Sequence, residues 1–338
     1  MKTPTRIGIV VIGRNEGERL KRCLQSLPAD ADCVYVDSGS QDGSQDFARS
    51  LGLDVVDLPM DTGFTAARAR NAGTARIAAL PNPPVYVQML DGDCELRSGW
   101  IDAAVEALSA EPRLAAVFGR LRERFPDVSP YNRMCDEEWN VPVGLVRSCS
   151  GNAMFRLAPL TQSGGYDATL IAGEEIDLCL RIAAAGWTFR RIDADMALHD
   201  VAMLHFSQWW QRTRRAGFAF AEHVWRRRGA ADSDWKHALL RIIFWALLLP
   251  FVLIMTLLSG YIFSKPMFCL AALVIAALYP LQWVRVALRS YATNSDAGYA
   301  MFCSALSSLD KFAQLSGAVQ FLTQKILRRS AKIIEHKV

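Results

Sequence analysis

The sequence predicts an α/β domain with a mostly parallel β-sheet and helices on both faces, followed by a C-terminal hairpin of apolar helices. In the first half of the 338-residue chain, short apolar runs alternate with helical patterns. In the second half, two long segments carry no charge. The charge balance changes there too, because residues 236–338 hold 11 Lys and Arg against 3 Asp and Glu, whereas residues 1–235 hold 27 against 31.

The first half contains four strand–helix pairs in sequence. Helices are expected where apolar residues recur every three or four positions, as at Leu20, Cys23, Leu24 and Leu27. Strands are predicted at residues 7–12, 33–36, 55–58 and 85–90, and helices at 16–27, 44–51, 64–80 and 98–108. The first apolar run is too short for a signal peptide and is followed by charged residues, which favours a buried strand.

The second half contains two candidate membrane spans. Residues 242–263 form a run of 22 residues without a charge, and residues 266–284 a run of 19. Each is long enough to cross a hydrocarbon core of about 30 Å. Only Ser264 and Lys265 separate the runs, which predicts a tight hairpin, and the basic flanks predict that both ends are cytoplasmic. A pair of buried core helices is the alternative.

Two further segments have amphipathic patterns. Residues 300–327 predict an amphipathic helix on the membrane surface, with a third span as the alternative. Residues 206–228 interleave aromatic residues with arginines, as expected of a helix on an anionic membrane surface. The predicted domains are therefore residues 1–235, ending in this interfacial helix, and a membrane region at 236–338.

Composition excludes several classes of protein. The eight cysteines are scattered without a CxxC pair, which predicts reduced thiols and neither a zinc site nor a disulfide framework. The excess of positive charge surrounds the apolar segments, which argues against nucleic-acid binding.

Polar side chains follow the predicted strands. Asn15, Asp37 and Asp91 lie at or just past strand ends, where the ligands of parallel sheets bind. In YVQMLDGDCEL, Asp91 and Asp93 lie one residue apart, and two carboxylates in one opening repel each other unless a cation lies between them. Mg²⁺ or Mn²⁺ would bridge such carboxylates to phosphates. The alternative is a solvated turn.

Two other motifs carry charge. GEEIDLCLR places Glu174, Glu175 and Asp177 at the start of a helix, where one acid can cap the helix and another can act as a general base. Arg68 and Arg70 in ARARNAG are surface charges unless one of them faces the strand ends, where it would suit a pyrophosphate.

The order of these motifs resembles that of family 2 glycosyltransferases with a GT-A fold, over roughly residues 5–230. The motifs that carry the resemblance are IGRNE at 12–16, VDSGSQDG at 36–43, ARNAG at 69–73, DGD at 91–93, GNAMFR at 151–156 and GEEIDLCLR at 173–181. It implies a bacterial membrane-associated hexosyltransferase that uses a UDP- or GDP-linked sugar.

The resemblance also implies a nucleotide-sugar site. Asp37 would contact the base, Arg70 the nucleobase or diphosphate, and Asp91 the ribose or metal. The implied nucleotide-sugar residues are Asn15, Glu16, Asp37, Arg70, Asp91, Gly151, Asn152 and Ala153.

Metal and base residues follow from the same resemblance. Asp93 would ligate Mg²⁺ or Mn²⁺ together with Asp91, and His199 is either a further ligand or a structural histidine. Glu174 and Glu175 would be the catalytic pair, with Glu175 as the base. The family usually has Glu-Asp at this position, whereas this chain has Glu-Glu.

The expected reaction is inverting transfer of one sugar to a lipid-linked or membrane-near glycan acceptor, in bacterial exopolysaccharide or cell-surface glycan synthesis. Residues predicted to lie near the acceptor and the membrane lipids are Trp209, Trp210, Arg212 and Arg215. A processive polysaccharide synthase is one alternative, and a catalytically silent nucleotide-sugar-binding scaffold is another. The expected location is the inner membrane, with the catalytic domain and both termini cytoplasmic.

Overall fold

The computed structural model describes residues 6–61, 63–227 and 233–327. The chain divides into two compact units, Met1–Ala202 and Met203–Val338. The sequence analysis had instead placed the domain boundary at residue 235. Arg228, at the end of the predicted interfacial helix, lies outside the described residues.

A nine-stranded mixed sheet forms the first unit. Its strands follow the order β3-β2-β1-β4-β8-β6-β9-β5, and β7 pairs with β9. The strands are β1 Ile7–Gly13, β2 Asp32–Asp37, β3 Asp54–Asp57, β4 Tyr86–Asp91, β5 Cys94–Leu96, β6 Leu114–Glu123, β7 Gly144–Val146, β8 Ala153–Arg156 and β9 Thr188–His199.

The first four strands are parallel to one another, as predicted, and β6 is parallel to β9. The later strands make the sheet mixed, because β8 pairs antiparallel with β4 and β6, and β5 and β7 pair antiparallel with β9. The sequence did not predict β5 to β9.

Helices flank the sheet, and the helices of the four predicted strand–helix pairs lie close to their predicted positions. The helices of this unit are α1 Glu18–Gln25, α2 Ser44–Ser50, α3 Ala66–Ala78, α4 Trp100–Ala110, α5 Pro130–Glu138, α6 Leu157–Gln162 and α7 Glu174–Ala184. Helix α3 approaches the sheet closely at Gly73, where a Cβ atom would overlap the side chain of Val10. This close approach brings the arginine-bearing helix against the central strands.

Strand register aligns the polar ends. Gly13 at the end of β1 lies opposite Asp37 of β2, and Ile12 lies opposite Asp91 of β4. Because β1, β2 and β4 are parallel, these carboxylates lie at one edge of the sheet. His199, the last residue of β9, lies at the same edge. This follows because β9 is parallel to β6, and β6 runs in the same direction as β4.

Helices alone form the described part of the second unit. They are α8 Phe206–Arg226, α9 Ser233–Ile243, α10 Leu249–Phe263, α11 Pro266–Ala276, α12 Leu278–Asn294 and α13 Ala297–Ile326, with a π-helical turn at Phe244–Leu248. The apolar helices Asp234–Phe263 and Pro266–Asn294 are long enough to span a membrane. The predicted helix at 300–327 corresponds to α13.

A backbone carbonyl of the π-helical turn accepts a hydrogen bond from α12. The hydroxyl of Tyr279 donates to the carbonyl oxygen of Trp245, at 2.7 Å. Further along, Ser304 donates to the carbonyl of Trp283, and the indole of Trp283 donates to Ser308. Hydrogen bonds of this kind hold helices together where apolar attraction between them is weak.

Helices α8 and α13 pack with their backbones in contact. A Cβ atom at Gly217 would overlap the backbone of Gln314, and one at Gly317 would overlap the carbonyl of Arg214. Phe218 and Phe321 pack edge to face beside this crossing, with ring centroids 5.3 Å apart. This packing places the helix at 206–226 in the second unit, although the sequence analysis had assigned it to the first domain.

The helix crossing predicts a large effect of substituting Gly217. Gly217→Val should lower the free energy of unfolding by about 2–3 kcal/mol, because the overlap is with backbone that only a shift of the helix can relieve. Thermal unfolding of the detergent-solubilised protein measures this. Gly298→Ala is the control, since its Cβ would meet only Asp296 at 3.6 Å. Equal midpoints for the two variants would contradict the crossing.

Candidate active site

A single arginine joins three carboxylates at the edge of the sheet. Arg70, on α3, is only 3% exposed. One of its terminal nitrogens, Nη1, donates to Glu174 at 3.0 Å and to Glu175 at 2.9 Å, and the other, Nη2, donates to Asp91 at 2.9 Å. Burial opposes the charge of the guanidinium, but Asp91 and the two glutamates outweigh it and raise the pKa of Arg70 well above its usual value.

Two residues of the loop before β8 shape this cluster. A Cβ atom at Gly151 would overlap Nη2 of Arg70 and lie 3.0 Å from Oε1 of Glu175, so only glycine leaves room for the guanidinium. Asn152 holds Asp91 from the other side. Its Oδ1 accepts from the backbone N–H of Asp91 at 2.8 Å, and its Nδ2 donates to the carboxylate at 3.2 Å. Ala153 is buried at the start of β8.

Glu175 has the properties of a base that works near neutral pH. Burial raises its pKa to about 7, helped by the negative charge of Glu174 and opposed by Arg70. Glu174 is buried, whereas the side chain of Glu175 remains about 20% exposed. The second glutamate of the pair can therefore reach a substrate, and the first is enclosed.

A second cluster lies at the ends of β4 and β9. Nε2 of His199 lies 2.9 Å from Oδ2 of Asp93, and Cys94 adds a thiol within 4.8 Å of both ligand atoms. A carboxylate oxygen and an imidazole nitrogen are ligands that suit divalent transition metals. Asp91 is not in this cluster, because its two oxygens bond Arg70 and Asn152.

Behind His199 lies a buried carboxylate that the sequence analysis missed. The side chain of Glu123 at the end of β6 is fully buried, and its Oε2 is 3.9 Å from Nδ1 of His199. Burial raises the pKa of Glu123, although the backbone N–H groups of Phe125 and Val201 donate to it. The ring of Trp139 packs edge to face on His199, with centroids 4.6 Å apart. A lone Glu at a strand end carries no local sequence signal.

The predicted base-binding carboxylate is fully engaged within the protein. Asp37 is 0% exposed. It accepts hydrogen bonds from the hydroxyl of Tyr35, the backbone N–H groups of Gly39 and Ser40, and the amide of Gln45. These bonds give Asp37 a turn-stabilising role. Contact with a nucleobase stays a prediction.

The first predicted nucleotide residues lie beside that turn. Asn15 adopts a left-handed backbone conformation with a φ of 53°, accepts from the N–H of Gln41, and donates its own N–H to Ser40. Glu16 forms an ion pair with Arg19 at 3.0 Å. The loop after β1 is thus tied to the loop after β2.

The four residues predicted to lie near the acceptor all belong to α8. Trp209 is buried at 5% exposure and packs on Phe206, whereas Trp210 is half-buried. Arg212 and Arg215 are also half-buried. Trp209 is therefore a packing residue of the helix, and the nearness of these four residues to an acceptor or to lipids stays a prediction.

Comparison with known proteins finds a family match within the first unit. Residues 8–148 match the model of Glycosyl transferase family 2. The pre-mycofactocin glycosyltransferase of Mycobacterium tuberculosis is 27% identical over 208 residues, which are 57% of this chain and 42% of that protein. Glycosyltransferase AglE of Haloferax volcanii is 23% identical over 216 residues, 59% of this chain and 66% of that protein. The chain thus spans less than half of the length of the mycobacterial relative.

Among solved structures, a similar fold occurs in the mannosyltransferase PcManGT from Pyrobaculum calidifontis in complex with GDP-Man and Mn²⁺. The TM-score is 0.57 at 17% identity, and the match covers 96% of this chain and 89% of that chain. These comparisons confirm the predicted family resemblance and GT-A fold. The segments that carry Gly151, Glu175 and His199 lie beyond the residues that the family model matches.

The position of Glu123 predicts a role in holding His199 towards a metal. Glu123→Gln should weaken Mn²⁺ binding by about 10–100-fold, because the negative charge 3.9 Å from Nδ1 of His199 raises the basicity of the ring. Calorimetric titration of the purified protein with MnCl₂ measures this. Glu111→Gln, which breaks only a half-exposed pair with Arg190, is the matched control. Unchanged affinity in both variants would leave Glu123 a purely structural residue.

Proposed function

We propose that this chain, whose residues 8–148 form a glycosyl transferase family 2 domain, transfers a sugar from a nucleoside-diphosphate sugar to a lipid-linked or membrane-near glycan acceptor, with inversion at the anomeric carbon. The observation that carries the proposal is the arrangement of Glu175. It is a glutamate with a pKa near 7, held by Arg70 and connected through Arg70 to Asp91, two residues before the candidate metal ligand Asp93.

The donor set at Asp93 and His199 fits a divalent cation. Carboxylate oxygens alone would suit Mg²⁺, but an imidazole nitrogen is a ligand that Mn²⁺ accepts more readily. We therefore propose Mn²⁺ as the preferred cation, held by Asp93 and His199. Such a cation, when bound, would stabilise the negative charge of the departing diphosphate. The presence of GDP-Man and Mn²⁺ in the structurally similar mannosyltransferase makes these two ligands the first to test.

The protein's own residues supply the proton transfer. The carboxylate of Glu175 accepts the proton of an acceptor hydroxyl while that oxygen forms its bond to the anomeric carbon. The bond from that carbon to the diphosphate oxygen breaks in the same step, and its electron pair leaves with the nucleoside diphosphate. Displacement from the opposite side inverts the configuration, and no covalent sugar–enzyme intermediate forms.

Arg70 acts in this proposal by positioning the base. The sequence analysis placed it near the nucleobase or diphosphate, but its two terminal nitrogens already donate to Asp91, Glu174 and Glu175. We propose that Arg70 holds Glu175 in place and that the nucleoside lies near the loop of Asn15 and Glu16. Gly151 and Asn152 line the side of this ion-pair cluster on which we place the donor sugar.

Membrane attachment is part of the proposal. Only 17% and 6% of the most apolar windows of the two candidate spans are buried within the chain, unlike those of a core helix. Basic residues flank the spans, which supports an inner-membrane protein with both termini in the cytoplasm. The two candidate spans among the described residues are few for a protein that must thread a polymer, so we favour single transfer in bacterial surface-glycan synthesis over processive synthesis.

Nucleotide binding tests the proposal directly. The detergent-purified protein should bind one of UDP, GDP, CDP and dTDP selectively in calorimetry, and MnCl₂ should strengthen that binding because cation and diphosphate attract each other. Asp93→Ala should weaken the metal-dependent part at least tenfold. Glu95→Ala, at a half-buried pair with Arg124, is the control. Absence of metal-dependent binding to all four nucleotides would refute the donor assignment.

The pKa of Glu175 predicts the pH dependence of transfer. Its carboxylate is the base, so kcat/KM should rise with pH through about 7 and level off above it. Glu175→Gln should lower the rate about 10²–10⁴-fold and abolish this rise of kcat/KM with pH. Glu174→Gln removes a charge that raises the pKa of Glu175 and should therefore move the rise to lower pH. A pH profile unaffected by either change would show that another group is the base, and a catalytically silent scaffold would show no transfer at any pH.

A further inference from the structure

A polar groove of about 300 Å³ lies within the second unit, between α8 and α13. Two aliphatic side chains also line it, and none of its seven lining residues is acidic. The polar side chains that line it are Arg214, Ser316, Gln320, Thr323 and Gln324. A polar groove is unusual beside helices that are apolar enough to span a membrane.

Three buried polar atoms of this groove lack hydrogen bonds. They are Nε of Arg214, Oε1 of Gln320 and Oε1 of Gln324, none of which has a partner among the residues that the structure describes. Buried polar atoms in native proteins are nearly always paired, because an unpaired one loses its hydration without compensation. One donor and two acceptors on neighbouring turns of two helices therefore mark this groove as a candidate binding site.

Rigid backbone holds these groups in place. The carbonyl of Arg214 lies directly against Gly317, where the two helices touch. The packing therefore fixes the backbone position from which the arginine side chain extends. Gln320 and Gln324 lie one turn apart on α13, one and two turns beyond that contact. The groove is thus preformed, as binding sites for small groups usually are.

The donor and acceptor pattern defines the chemistry of the ligand. A guanidinium pairs well with phosphate oxygens, whereas glutamine carbonyls need hydrogen-bond donors. A phospholipid headgroup that carries hydroxyl groups beside its phosphate provides both. The groove also lies in the unit that holds the candidate spans and the half-buried arginines of α8, which favour an anionic lipid over a soluble ligand.

We propose that this groove binds the phosphoglycerol headgroup of an anionic phospholipid, with Arg214 on the phosphate and the two glutamines on the glycerol hydroxyls. The proposal rests on the membrane attachment proposed above, and it adds a lipid site that is separate from the sugar-transfer site.

Lipid binding by the full-length protein in a neutral detergent tests this. Native mass spectrometry should show at least tenfold tighter binding of phosphatidylglycerol than of phosphatidylcholine, whose headgroup has a phosphate but no hydrogen-bond donor. Millimolar inorganic phosphate or glycerol phosphate should not displace the lipid. Displacement by either would indicate a site for free anions and overturn the lipid assignment.

Three variants separate the groove from general surface charge. Arg214→Gln should weaken phosphatidylglycerol binding at least tenfold, and Gln320→Leu with Gln324→Leu should reduce the preference over phosphatidylcholine to about twofold or less. Arg285→Gln removes one positive charge from an exposed position of the same unit and should bind as the wild type does. Equal losses in Arg214→Gln and Arg285→Gln would overturn the site in favour of diffuse attraction.

Nucleoside-diphosphate binding by the same samples separates this inference from the proposed function. Arg214→Gln should bind the nucleotide normally, which also shows that the variant is folded. A wild type that binds lipid selectively but no nucleotide would refute the transferase proposal alone. A wild type that binds nucleotide but shows no preference between the two lipids would refute the lipid site alone.

Discussion

The ion-pair cluster around Arg70 is the interaction on which the rest of the first unit depends. It connects α3 to the end of β4 and to the start of α7, three elements separated by up to about a hundred residues of chain. Removing one partner from a buried ion pair typically costs about 3–5 kcal/mol, because the remaining charge stays out of water. The cluster requires small residues around it, because Gly73 lets α3 approach the sheet and Gly151 leaves space for the guanidinium.

The cluster also explains why one of its acids is suited to take up a proton. A single guanidinium cannot balance three ionised carboxylates, so the group carries excess negative charge in a poorly hydrated place. Burial, together with the negative charge of Glu174, raises the pKa of Glu175 to about 7, and Arg70 offsets this only in part. The other two carboxylates are held more firmly, one by burial and the other by Asn152. One set of contacts therefore provides both the rigidity of the site and its reactive proton acceptor.

The sequence allowed prediction of features that depend on neighbouring residues, and of few that depend on residues far apart in the chain. Strands β1 to β4 were predicted because each is a short apolar run with a turn behind it. Strands β5 to β9 were not predicted, since their pairing depends on partners far along the chain, as Cys94 with His199 shows. Asp93, Glu175 and His199 were found through motifs. Glu123 was missed because only the alignment of β6 with β9 makes it a neighbour of His199, and burial of Trp209 depends on the packing of a whole helix.

The chain position of the last site residue has a consequence for synthesis. His199 ends β9, the final strand of the first unit, and the first candidate span begins at Asp234, roughly 35 residues later. At about 5–20 residues per second, a ribosome takes roughly two to seven seconds to add that stretch. Every strand of the sheet, and every residue of the ion-pair and Asp93–His199 clusters, has been synthesised before the first apolar span begins. The first unit thus has a head start in folding over the two apolar candidate spans.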